Sequence, residues 1–230
     1  MTDPPLRVSH PRIKPRRGVA RASTWWGKAW VRACEESAYG ESDLLAARSL
    51  ARSGSVGAIS IAPGRYLAAV EDGDELWSTS TTLPVLDDAD RAAFVEAVVA
   101  ETGRLPALLA GELPHGLVEH AEEAGVELLP YGGELVASCT CAAWVDPCPH
   151  ALAVAYQVAW LADADPFVLL GLRGLPREEL LARLHDREEG RVAPLGDRPD
   201  DVALAVDAAT RATRILQLLA AGDTDIDHLL

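Results

Sequence analysis

The stretch CTCAAWVDPCPH, residues 139–150, decides how this chain folds. It holds three of the four cysteines in the chain and places a histidine two positions after the last of them. Thiolate and imidazole are the ligands that Zn²⁺ prefers, and three sulfurs with one nitrogen complete a tetrahedron. The spacing therefore predicts one structural zinc ion, held by Cys139, Cys141, Cys148 and His150.

Two other interpretations of the cysteines compete with a metal site. They could be buried small side chains, or one disulfide with a spare thiol. Cys-x-Cys is a poor internal disulfide, because neighbouring extended side chains do not reach the required geometry. Four protein ligands also leave no open position on the metal, which argues against a zinc ion that activates water.

The residues around the cluster predict a small ββα unit. Residues 134–138 are typical of a strand. Gly132 and Gly133 predict a turn before this strand, and residues 126–129 predict a partner strand before the turn. A helix is expected to begin near Cys148, because prolines are tolerated in a first helical turn. The apolar run that follows His150 is too short to span a bilayer and predicts a buried helix.

The fold class predicted for the whole chain is α+β: mostly helical, with a three-stranded antiparallel sheet near the N-terminus and the ββα zinc finger. The sheet is expected from residues 56–62, 65–70 and 75–83, which are separated by Pro-Gly and Asp-Gly-Asp turns. The predicted segments are a basic extended arm at 1–22, an N-terminal α+β region at 23–124, the finger with its following helices at 125–185, a linker at 186–200 and a C-terminal helix at 201–230. The last helix has either a packing or a partner-binding role.

At the four predicted ligands the sequence resembles the SWIM zinc finger, whose pattern is C-x-C, a variable gap and C-x-H. Three further stretches resemble bacterial SWIM-domain proteins: Thr24–Trp30, Arg48–Val56 and Asp165–Gly174. The resemblance covers about residues 20–185. It implies a zinc-binding protein of the kind associated with helicase-like ATPases of the chromatin-remodeller type, whose finger is proposed to bind DNA or proteins. Pro149 stands where the family often has a lysine.

Charge is distributed unevenly along the chain. The net charge is −14, which is a poor overall match for a nucleic acid. Residues 1–32, in contrast, carry eight basic side chains against Asp3 alone. A basic arm on an acidic body is typical of a nucleic-acid-binding tail, and a solvated tail that keeps the protein soluble is the alternative.

Two features next to the arm have a packing interpretation and a binding interpretation. Trp25 and Trp26 either pack in the core or stack on bases. Arg48 and Arg52, one helical turn apart, either grip a phosphate or pair with nearby carboxylates. The predicted nucleic-acid contacts are Arg12, Lys14, Arg16, Arg17, Trp25, Trp26, Arg48 and Arg52.

The sequence has no phosphate-binding loop, dinucleotide fingerprint, zinc-protease helix or serine-nucleophile elbow. We therefore expect no enzyme activity and no small-molecule substrate. No apolar run has membrane-spanning length, and reduced cysteines in a metal cluster are typical of the cytosol, so we expect no membrane partner and a cytoplasmic location. The predicted function is a zinc-binding SWIM-type protein that acts as a nucleic-acid-associated module, with DNA or RNA as the partner. The alternative is an adaptor for a helicase-like ATPase without direct DNA contact, which the acidic body and Pro149 favour.

Overall fold

The structure, a computed structural model, describes residues 7–16, 22–191 and Thr213. The chain divides into two units, Met1–Leu184 and His185–Leu230. The helices in the described part are α1 (Trp25–Ser37), α2 (Glu41–Ser53), α3 (Asp88–Val99), α4 (Arg104–Leu109), α5 (His115–Glu123), α6 (Pro149–Ala164), α7 (Pro166–Leu172) and α8 (Arg177–Arg191), with a 3-10 turn at Gly132–Glu134. The strands are β1 (Val8–His10), β2 (Ile59–Ala62), β3 (Arg65–Asp72), β4 (Glu75–Thr82) and β5 (Val136–Cys139).

The sheet has five strands in the described residues, so the prediction of three was wrong. The order is β1-β2-β3-β4-β5 and every pairing is antiparallel. The three central strands are joined by tight turns and were predicted. Strand β1 was not predicted, and β5 was predicted as a strand but not as part of this sheet. Each of the two pairs with a partner far away in sequence, as Val8 does with Ile61 and Cys139 with Thr79.

The predicted ββα arrangement of the finger is also corrected. Residues 126–129 form no strand, although Val126 and Leu128 are buried. The strand that leads into the cysteines, β5, pairs with β4 of the main sheet. The finger is therefore an extension of the sheet and not a separate hairpin with its own partner strand.

Helix α6 is the centre of the core. Nearly all its residues are buried, including Gln157 on the face toward α2. A helix that is apolar on all sides must be covered on all sides. Helices α1 and α2 supply much of that cover, and two tryptophans of α1 donate indole N–H bonds to α6: Trp26 to the Ala162 carbonyl at 2.7 Å and Trp30 to the Ala155 carbonyl at 3.2 Å.

The start of α1 is fixed by a carboxylate near the end of α6. The Thr24 hydroxyl caps the helix by accepting from the Gly27 N–H. The Asp163 carboxylate accepts in turn from the backbone N–H groups of Ser23 and Thr24, at 2.9 and 2.8 Å, and from the Thr24 hydroxyl at 2.6 Å. The first N–H groups of a helix lack partners within it, so this carboxylate satisfies an otherwise open end.

Helix α2 ends at a glycine, and helix α8 extends beyond the segment predicted for it. Gly54 ends α2 in the left-handed conformation, with φ of 84°. A glycine adopts this conformation without steric cost, which suits it to the end of a helix. Helix α8 continues to Arg191, into the first residues of the predicted linker at 186–200. The predicted C-terminal helix at 201–230 lies outside the described residues except for Thr213, which is helical.

Candidate metal centre

The four predicted ligands meet at one point. Their three sulfurs and one ring nitrogen all lie within 4.8 Å of one another. His150 Nδ1 is 3.9 Å from Cys139 Sγ and 3.8 Å from Cys148 Sγ. A tetrahedral zinc ion with Zn–S bonds of about 2.3 Å separates its ligand atoms by about 3.8 Å. The cluster therefore fits zinc in both the identity and the spacing of its donors, and it holds one structural zinc ion.

Each pair of ligands is positioned by a different element. Cys139 ends β5, and Cys141 lies two residues further along an extended segment, so the two thiols point the same way. The residue between them, Thr140, continues the pairing with β4 through an N–H bond to the Ser78 carbonyl at 3.0 Å. Cys148 immediately precedes α6 and Pro149 is the first residue of the helix, a position where proline is pre-set for a helix. The metal thus joins the sheet edge to the central helix.

His150 is oriented by a carboxylate on its far side. Its Nε2 lies 3.1 Å from Asp72 Oδ2, and Asp72 ends β3 at the turn into β4. A hydrogen bond at Nε2 leaves Nδ1, which faces the thiols, as the metal-binding nitrogen. The Trp77 ring lies beside the imidazole, with 5.9 Å between ring centroids. The sequence did not reveal Asp72, since it is 78 residues from His150; its place in an Asp-Gly turn was the only signal.

The thiols differ in acidity. Burial raises the pKa of Cys148 to about 12 and also raises that of Cys139. Burial acts in the same direction on Cys141, but hydrogen bonds from the Ala143 N–H and from His150 outweigh it, so the Cys141 pKa is lowered. Only thiolates bind zinc, so zinc binding displaces the protons that the buried thiols hold.

A buried ion pair supports the segment that leads into β5. Arg173, only 2% exposed, pairs with Glu134 at 2.8 Å. The same guanidinium donates to the carbonyls of Leu128 and Pro84, both at 2.9 Å. Arg173 lies in the stretch that carries the family resemblance, but no pattern in the sequence indicated that its partner is Glu134.

The structure places the basic arm residues along the body of the first unit. Arg12 pairs with Glu71 at 2.5 Å and donates from Nε to the Gly54 carbonyl. Lys14 and Arg16 are exposed. The Arg16 backbone N–H bonds to the Arg52 carbonyl at 3.0 Å. Arg17 lies outside the described residues.

The two predicted tryptophans are engaged in packing. Trp26 is 6% exposed, so a base cannot stack on it. Trp25 is half-buried, donates its indole N–H to the Leu113 carbonyl at 3.1 Å and lies against His115. These contacts agree with the packing interpretation of both residues.

The two predicted arginines of α2 differ in their partners. Arg48 pairs with Glu35 at 2.6 Å, and its Nε donates to the Tyr156 hydroxyl at 3.1 Å. Arg52 donates from Nε to the Arg48 carbonyl and has no carboxylate partner among the described residues. One arginine is thus part of an internal ion pair and the other presents an unpaired charge.

Comparison with known proteins agrees with this centre. Residues 125–159 match the SWIM zinc finger family. The chain is also similar to an uncharacterized protein of Mycobacterium tuberculosis, Rv2102, with 32% identity over 187 residues that cover 80% of this chain and 67% of the relative. No solved structure matches. Within the described residues no helix combines the length and the apolar character needed to cross a membrane. The family match, the relative that aligns over most of both chains and the four converging ligands place this chain in the SWIM zinc finger family.

Proposed function

We propose that this protein is a zinc-stabilised binding module that works in contact with nucleic acid. The observation that carries the proposal is the position of its basic residues. In a chain with 35 acidic and 21 basic side chains, Arg12 and Arg16 are bonded to the end of α2, where Arg52 also lies. Phosphate contacts by lysine and arginine supply most of the affinity of non-specific nucleic-acid binding.

The metal has a structural role in this proposal. It fixes the start of α6, and that helix supports α1 and α2. The finger itself offers little positive charge, because Pro149 and Ala142 occupy positions beside the ligands. The nucleic acid is therefore expected to contact the basic residues of the body and arm, not the finger.

The test is a salt-titrated binding assay with full-length protein. The double variant Lys14→Gln/Arg17→Gln removes two arm charges and leaves the Arg12–Glu71 pair intact. The matched control is Arg65→Gln/Arg177→Gln, which removes two exposed charges elsewhere. We expect binding that weakens steeply with salt and weakens further in the arm variant only. Absence of binding by the unaltered protein at about 50 mM salt would refute the proposal.

A second candidate function is supported by a different surface. Trp144, in the gap between the two ligand pairs, is 83% exposed and contacts Tyr39, which is 73% exposed, with ring centroids 5.4 Å apart. Tryptophan and tyrosine are enriched among the residues that contribute most to binding at protein interfaces. This surface would suit an adaptor that docks on a protein partner such as a helicase-like ATPase. Trp144→Ala/Tyr39→Ala would then abolish capture of a purified ATPase without changing zinc content.

A further inference from the structure

A groove of about 680 Å³ lies between α1, α2 and α6, away from the metal. Its charged lining comprises four cations and one carboxylate: Lys28, Arg32, Arg48, Arg52 and Glu35. Tyr156 and Trp160 of α6 form its aromatic wall. They lie roughly 9 and 15 Å along the helix from His150, at the usual rise per residue. The helix that the zinc fixes at one end thus lines the groove toward its other end.

The carboxylate does not neutralise the groove. Glu35 is occupied by Arg48 and accepts from the Tyr156 hydroxyl at 3.3 Å. Arg32 pairs with Glu36 at 2.8 Å. Lys28 and Arg52 have no carboxylate partner among the described residues. Two cations on the lining therefore carry unpaired charge.

The end of the arm adds a third cation. The Arg16 guanidinium lies 4.9 Å from the centroid of the Trp160 ring, and its backbone is bonded to Arg52. Arg16 likewise has no carboxylate partner in the part of the chain that the structure describes. Three unpaired cations at one groove stand out in a chain with a net charge of −14. An anion bound between them would offset their mutual repulsion.

The aromatic wall holds guanidinium groups and leaves no open ring face. Trp160 is 7% exposed, with Arg16 over its ring, and the Arg48 guanidinium lies 5.8 Å from the Tyr156 centroid. Cation–π contacts of this kind orient the charged groups before a ligand arrives. The Trp160 indole N–H is buried without an acceptor among the described residues. Arg16 and Arg48 are held in this way, and charged donors of this kind recognise phosphate and not a particular base.

We propose that this groove binds the phosphodiester backbone of single-stranded nucleic acid through Arg16, Lys28 and Arg52. Its volume is in the range of pockets that enclose a small ligand, so it accepts a short segment of a strand and not a duplex. Binding is independent of base sequence. The inference rests on the proposed function, and it adds that the nucleic acid is single-stranded and that it binds in this groove.

The test compares full-length variants binding a labelled oligo(dT) of about 20 nucleotides. We expect Lys28→Gln/Arg52→Gln to weaken binding about tenfold and to make the slope of log affinity against log salt shallower by about 1.4, or about 0.7 for each lost phosphate contact. Lys28→Arg/Arg52→Lys keeps the charges and retains the slope. We expect the Gln variant to unfold at about the same temperature as the unaltered protein, because neither Lys28 nor Arg52 has a carboxylate partner among the described residues.

The controls separate this inference from the proposed function. If the Lys28→Gln/Arg52→Gln protein binds the strand like the unaltered protein, or if Arg65→Gln/Arg177→Gln weakens binding equally, the groove is not the site and the proposed function stands. Tighter binding of a duplex than of the strand also overturns the inference. Complete displacement of the bound strand by free phosphate or ATP would overturn it too, since the groove would then be a mononucleotide site. If no protein binds any nucleic acid, both proposals fail.

Discussion

At the scale of single residues, the metal ligands were the part of the site that the sequence identified. Three cysteines and a histidine at ligand spacing are typical of zinc sites, and the structure brings all four predicted side chains together. Asp72 and the Glu134–Arg173 pair were not predicted, because a carboxylate has many roles and its partner is set by tertiary contacts. Residue chemistry therefore identified the ion, and only the fold identified the groups that hold its ligands in place.

Removing the carboxylate behind His150 should weaken the metal site without unfolding the protein. We expect Asp72→Ala to lower zinc affinity at least about tenfold, because the ring loses the hydrogen bond that orients Nδ1 toward the thiols. Competition with a chromophoric zinc chelator measures the change. Asp74→Ala removes an exposed carboxylate from the same turn and should leave the affinity unchanged. Equal affinities for both variants would show that Asp72 does not position the histidine.

Cysteine substitutions distinguish a cysteine that binds the metal from one that only packs in the core. Cys148→Ser should abolish stoichiometric zinc, measured by elemental analysis, and lower the thermal unfolding temperature, since structural zinc contributes folding free energy. Cys34→Ala is the matched comparison. Cys34 is fully buried in α1, where burial raises its pKa, and it lies outside the cluster. We expect that variant to keep one zinc ion per chain. Zinc retained in the Cys148→Ser protein would contradict the assignment.

At the scale of elements, local signals predicted the helices and central strands, and long-range pairing determined the rest. Thr24 and Asp87 mark helix starts because their side chains accept hydrogen bonds from backbone N–H groups three residues on, and Gly54 marks a helix end because it adopts the left-handed conformation. Strand β1 falls in a proline-rich basic stretch, and its pairing with β2 joins residues as far apart in sequence as Val8 and Ile61. No local pattern predicts such a pairing.

The Asp163 carboxylate should contribute about 1–2 kcal/mol to the free energy of unfolding, because it accepts hydrogen bonds from the backbone N–H groups at the start of α1. We expect Asp163→Ala to lose this amount in urea unfolding at neutral pH, whereas Asp74→Ala loses little. Burial alone would raise the Asp163 pKa, but bonds from Thr24 and Ser23 outweigh it and lower the pKa. A carboxylate with a lowered folded-state pKa stabilises the protein above its unfolded-state pKa of about 3.9. The difference in free energy of unfolding between the Asp163→Ala variant and the unaltered protein should therefore shrink as the pH falls below this value.

Breaking the buried ion pair should destabilise the first unit strongly. Arg173→Met leaves Glu134, 11% exposed on its side chain, without its cation. We expect a loss of about 3–5 kcal/mol, measured by urea unfolding. The double variant Arg173→Met/Glu134→Gln removes the uncompensated charge and should recover part of the loss. A double variant no more stable than Arg173→Met would place the effect in lost packing and carbonyl bonds instead.

At the scale of the whole molecule, the metal joins parts of the chain that the predicted segments kept apart. The finger was predicted as a unit of its own, but its strand belongs to the main sheet and its helix is the centre of the core. Cooperative unfolding is expected when one element contacts most of the others.

Removal of zinc should accordingly affect the whole first unit. We expect a strong chelator to lower the main calorimetric transition of the protein, and added zinc to restore it. Zinc at about 1,000 times its dissociation constant stabilises the bound fold by about 4 kcal/mol. A main transition that stays in place while only a small separate signal disappears would show that the finger folds independently of the sheet and core.

The position of β5 at the border of the sheet has a practical consequence. If the metal leaves and this strand detaches, the backbone donors and acceptors of Thr79–Thr82 in β4 lose their partners. Unpaired strand borders recruit other chains and promote aggregation. Purification with chelating buffers or resins would then yield precipitate or oligomers, and preparations kept in zinc-containing buffer would remain dispersed.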